Sequence, residues 1–169
     1  ASITGFDVGN TTADDQVEID ISEILKATSI AGVKNGAVVV LTDISGNDIT
    51  AEAVTFKTIT GASALGTADE EILVINGNIA SDSALETALE VGGTFQISNP
   101  GDNALVDNEV FLVLYDNGTN SYLATVETSG GIATNGTAAA NSLNAATFIT
   151  FTGVSDCTSI LAGDFATII

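Results

Sequence analysis

The chain has 169 residues, with 22 Asp and Glu against three lysines and no arginine or histidine, for a formal charge of -19 at pH 7. That balance excludes nucleic acid and anionic lipid as partners, since both need clustered cations, and it removes every histidine-dependent catalytic or zinc device from within the chain. The hydrophobic share is 45%, yet no run approaches the ~20 apolar residues of a membrane-spanning helix, so no membrane insertion is expected.

Strand periodicity begins at Val17, Ile19 and Ile21, which alternate with Glu18 and Asp20 and so predict one apolar and one acidic face. Ser22 can cap a short turn through Leu25. The β-branched run Ala37 to Leu41, the turn-forming stretch Asp43 to Asp48, and then Ile49 and the segment Val54 to Ile59 predict a hairpin, with Gly46 and Asn47 tolerant of positive φ. A further strand is expected over Glu71 to Ile75. One helix is predicted after it, with Ser81 or Ser83 as N-cap and Glu86 completing a capping box from Ser83. Leu85, Ala88 and Leu89 lie on one face of that helix and Gly92 lies past its end, for a length of about three turns. Glu109 to Tyr115 and Ser121 to Glu127 flank Asp116-Asn117-Gly118-Thr119-Asn120, the strongest hairpin signal in the chain. Residues 128 to 145 lack periodicity and read as an exposed loop. Strand character returns over Phe148 to Val154, ahead of an apolar tail.

Calcium is the metal such a chain suits, as a hard cation satisfied by carboxylates, amides and carbonyls. Asp14, Asp15, Glu18 and Asp20 are the candidate ligands, weighed against plain solvent exposure on a strand face. Asp43, Ser45, Asn47 and Asp48 have the oxygen spacing that opens an EF-hand loop, but without helical flanks a hairpin turn is favoured, as it is for Asp116, Asn117 and Asn120. Three N-x-T triplets, at Asn10, Asn117 and Asn135, carry little information in an Asn- and Thr-rich chain. The single cysteine, Cys157, can form no intrachain disulfide and reads as a small buried hydrophobe rather than a nucleophile. Carboxylate pairs for glycoside hydrolysis can be drawn from 22 acids, but the sequence offers no tryptophan platform for a sugar.

Both ends carry recognisable phrases. Ile3-Thr4-Gly5-Phe6-Asp7, then Asp14-Asp15-Gln16-Val17-Glu18-Ile19-Asp20-Ile21-Ser22, and at the other end Phe148 to Asp156 with Leu161 and Asp164-Phe165, resemble the C-terminal domain of bacterial type I secreted proteins of the RTX (haemolysin-type calcium-binding repeat) group and related surface-layer and adhesin proteins. The hairpin Val113 to Thr119 with Tyr122-Leu123 is similar as well. The chain departs from that group in having no G-G-x-G-x-D-x-U-x nonapeptide. The resemblance implies a secreted or cell-surface protein, export by a type I secretion transporter, and an uncleaved export signal in Asp164, Phe165, Ile168 and Ile169, where an acid precedes a short apolar terminus.

The sequence therefore predicts one all-β extracellular domain over residues 1–169, an antiparallel β-sandwich with one or two short helices, expected to be the C-terminal part of a longer chain. Its expected role is non-catalytic, in secretion and folding. The alternatives are a self-assembling surface protein of the S-layer, filament or adhesin kind and, with less weight, a calcium-dependent hydrolase or carbohydrate-binding module.

Overall fold

Residues 110–115 read Val-Phe-Leu-Val-Leu-Tyr, apolar at consecutive positions rather than alternate ones, and every one of these side chains is buried. A strand of this kind needs a core on each face. The computed structural model supplies both, and it describes residues 1–8, 16–19, 33–34, 37–38, 40–44, 46–47, 49, 53–65, 70–99, 105–132 and 136–168.

In chain order the described strands are β1 (Ser2–Thr4), β2 (Val17–Ile19), β3 (Val33–Lys34), β4 (Ala37–Val38), β5 (Val40–Leu41), β6 (Phe56–Ile59), β7 (Ser63–Ala64) and β8 (Ile72–Asn78). Helix α1 (Asp82–Leu89) follows, then β9 (Ile97–Ser98), β10 (Glu109–Asp116), β11 (Ser121–Thr128), β12 (Leu143–Thr152) and β13 (Phe165–Ile168). The main sheet runs β1-β12-β11-β10-β8-β6, with β5 also paired to β10. Its centre is the antiparallel meander β10-β11-β12. To this β1 adds in parallel on β12, and β8, β5 and β6 add in parallel on the other side. Because β8 and β10 are parallel, the chain must cross over between them, and α1 lies in that crossover.

One core holds Ile72, Val74, Leu112, Leu114, Leu123, Ile149 and Phe151, joined by Val17, Ile19 and Phe165. The other holds Leu73, Ile75, Phe111, Val113, Tyr115, Ala124, Val126 and Leu143, closed by Leu85 and Leu89 of α1. Neighbouring residues of β8 and β10 thus alternate between two cores, which is why their sequences show no polar face.

The chain is mostly β, with one α-helix among the described residues, as expected, and the 109–127 hairpin is present with its partners in register from Val110↔Glu127 to Asp116↔Ser121. The antiparallel expectation does not extend to the main sheet, which is mixed. The turn at Asp43 to Asn47 forms, with Gly46 at φ 86 and the Asn47 N–H donating to Asp43. Backbone bonds cross the turn, from the Asp43 N–H to the Asn47 carbonyl at 2.8 Å and from the Ile49 N–H to the Leu41 carbonyl at 3.1 Å, but β6 does not extend the hairpin against β5: β5 joins β10 and β6 joins β8. Hairpin chemistry sets the turn and its first rungs, while buried parallel neighbours take the strands beyond it. The stretch read as a loop already contains the first part of β12, and Ile132, Ala138 and Leu143 within it are buried. Helix α1 is about two turns long rather than three; Ser81 is its N-cap, accepting from the Ala84 N–H at 3.2 Å. The Ser22 to Leu25 turn lies outside the described residues.

Candidate functional site

Of the acids proposed for calcium, Asp14, Asp15 and Asp20 lie outside the described residues. Glu18 is exposed at the centre of β2, between buried Val17 and Ile19, as the alternation predicts. Among the described residues no group of three or more Asp, Glu or Cys side chains gathers closely enough to hold a metal ion.

The residues of the tail occupy a built position. Asp164 is buried and its Oδ2 accepts the Leu161 N–H at 2.8 Å, closing the 3-10 turn that delivers the chain into β13. Phe165 is 3% exposed and meets Phe56 edge-on, with ring centroids 5.7 Å apart. β13 pairs in parallel with β2, Phe165 against Val17 and Ile168 against Ile19. Ile169 lies outside the described residues.

A second arrangement has no counterpart in the sequence reading. A buried carboxylate must find donors, and a chain with three lysines has few cations to offer, so backbone amides serve instead. Glu71 accepts the N–H and Oγ1–H of Thr55, and Asp116 accepts the N–H groups of Gly118 and Cys157. The densest set lies along α1. Asp82 accepts the Thr147 N–H at 3.0 Å, Glu86 the Ala145 N–H at 2.7 Å, and Glu90, at the helix C-cap, the Ser142 and Leu143 N–H groups at 2.9 and 3.1 Å. Asp82 also accepts the hydroxyls of Tyr115 at 2.7 Å and Thr147 at 2.6 Å.

The spacing explains the match. Four helical residues rise about 6 Å and two strand residues about 6.6–6.8 Å, so carboxylates at i, i+4 and i+8 meet alternate outward amides of a strand running the opposite way. The helix thereby does for residues 143–147 what another strand would do. Beyond a register shift at Leu123/Ala124, where β12 passes from Thr147 to Ile149, the outward amide becomes Thr150, which donates to Ala1 ahead of β1. One edge is therefore covered by a helix over its first half and by a strand over its second.

Burial raises the Asp82 carboxyl, but the Thr147 hydroxyl, the Tyr115 hydroxyl and the Thr147 amide outweigh it and hold the group below its ordinary value of 3.8. Burial also pushes the Tyr115 hydroxyl up. Cys157 is fully buried, its Sγ–H donating to the Ile75 carbonyl; burial and then the charges of Asp116 and Asp156 raise its thiol well above the usual range. Such a thiol is a core hydrophobe rather than a nucleophile.

Comparison with protein families, with characterised proteins and with solved structures finds no match. The α1 carboxylates could have been noticed in the sequence as an i, i+4, i+8 row, but their partners lie more than fifty residues away and nothing local indicates them.

Proposed function

We propose that this chain is a non-catalytic secretion and folding module of an extracellular protein, delivered by a type I transporter and folding after export, with calcium as the cation that favours the folded state outside the cell. The observation that carries this reading is the burial of the tail. Asp164 and Phe165 are buried, and β13 is a paired strand. In the folded domain these residues are out of reach, so a transporter that reads them must meet the chain before it folds. Like-charge repulsion among 22 acids delays compaction until cations screen it, and calcium binds carboxylates readily.

The test is deletion of residues 164–169, with the cellular and medium fractions measured in cells carrying a type I transporter, beside a Phe56→Ala variant that removes the ring packed on Phe165 and leaves the whole tail in place. Retention of the deletion with continued export of Phe56→Ala is expected. Export of the deletion at the level of the parent chain overturns the reading and leaves the tail a structural strand only.

A further inference from the structure

We propose that α1 is an acid-released cover of the β12 edge, and that the residues it uncovers, 143–147, pair with the same residues of a second copy. The cover is held by four bonds from backbone amides to three carboxylates, and a hydrogen bond to an ionised acceptor is roughly twice as strong as one to a neutral acceptor. Protonation also turns half of each carboxyl into a donor, which cannot face an N–H. Leu85 and Leu89, both fully buried, hold the helix to the sheet face. The carboxylate row stands about 100° round the helix from them, so release is a roll about that apolar seam rather than loss of the helix.

Among the described residues the surroundings supply no competing charge. β12 carries no ionisable side chain, nor does β8, nor the described segment 91–99 after the helix. β10 contributes Tyr115, bonded to Asp82, and β11 contributes Tyr122, stacked on Tyr115 at 5.1 Å. Glu109, whose carboxylate accepts the Val106 N–H, stands two strands away at the Glu90 end. Glu127 follows Val126 and so falls on the other face of the sheet.

A second copy is the occupant because the edge is self-complementary. In an antiparallel strand pair, residues that direct N–H outward direct C=O outward as well. Residues 143, 145 and 147 therefore match 147, 145 and 143 of a partner about a two-fold axis through Ala145, an isologous contact. Charge forbids this at pH 7, where each copy carries -19, and allows it in acid, where the isoelectric point of about 4.1 is crossed and the three lysines set a low ceiling on positive charge.

Amide hydrogen exchange at 143, 145 and 147, normalised to Leu112–Leu114 in the same sample and read at a dilution at which the chain sediments as monomer, tests the release, and sedimentation velocity over a concentration series tests the pairing, both at pH 7 and pH 3. Normalised protection of the dilute monomer is expected to fall at least tenfold at pH 3 and to return as dimer forms at higher concentration. Unchanged relative protection of the monomer overturns the release, and a monomer at every concentration at pH 3 overturns the pairing. Glu86→Gln with Glu90→Gln keeps an acceptor oxygen without the charge and is expected to raise the pH at which dimer forms by about one unit, while Glu18→Gln with Asp7→Asn, which removes the same two charges from exposed positions outside α1, leaves it in place. Equal shifts from the two pairs would mean that net charge alone governs association. Ala145→Pro removes the central outward amide and is expected to abolish the dimer; its persistence at pH 3 overturns the assigned edge. At pH 7 in 1 M NaCl, which screens charge without protonating the helix, the monomer is expected to remain.

Discussion

Asp82 gathers three donors from two strands onto one carboxylate, and its consequence is measurable as a function of pH. Its folded value lies below 3.8, so the stability it contributes is complete above that value and disappears as pH falls through the folded one. Asp82→Asn is therefore expected to melt below the parent protein by a constant margin between pH 7 and pH 5, with the gap narrowing below pH 4. Asp82→Ala, which also strands the Thr147 amide and the Tyr115 hydroxyl, is expected to cost about 2 kcal/mol at pH 7, read from urea unfolding. A gap independent of pH down to pH 2 would refute the ionised acceptor. None of this was legible in the sequence, where Asp82 reads only as an acid in the first turn of a helix. By contrast Val17, Glu18 and Ile19 were legible, because alternation needs no knowledge of a distant partner.

Among the elements, the β10-β11 hairpin and helix α1 form where their own residues place them. The β10-β11 hairpin was found because Asp116 to Asn120 has turn chemistry of its own: Gly118 adopts φ 79, its N–H donates to Asp116, and Asn117 Oδ1 accepts from Thr119 and Asn120. Helix α1 was found from its N-cap serine and its Leu85 and Leu89 spacing. The parallel neighbours β8, β6 and β5 were not placed, since their ladders join segments whose sequences say only that they are apolar. The uninterrupted apolar run of β10 carries a signal of burial on both faces that the hairpin reading does not use, and that an alternating, half-exposed strand lacks. β13 offers the sharpest test at this scale. Phe165→Ala empties a buried ring site against Phe56 and is expected to cost about 3 kcal/mol, measured by denaturant unfolding. A loss under about 1 kcal/mol would mean that the terminal strand contributes little to the fold.

For the molecule as a whole, a charge of -19 over 169 residues opposes compaction through self-repulsion, and salt relieves it as the screening length falls from ~30 Å at 0.01 M to ~10 Å at 0.1 M. The melting temperature at pH 7 is expected to rise with NaCl over that range. At matched ionic strength, millimolar calcium is expected to stabilise slightly more than magnesium, by preferential binding to the folded state. Coincident curves for the two metals would leave screening as the whole effect and remove calcium from the proposed function.

The pairing of β1 with β12 and of β2 with β13 ties residues 2–4 to 150–152 and residues 17–19 to 165–168. These are nearly the longest loops the chain can close, and folding slows as contacting residues become more distant in sequence. A nascent chain that has emerged only as far as residue 100 holds neither partner for β1 and β2, and Val17 and Ile19 lack Phe151 and Phe165 of their core. Topology alone thus postpones completion until the final strand is free. Whichever compartment first receives residues 165–168 is the one in which β2 gains its partner.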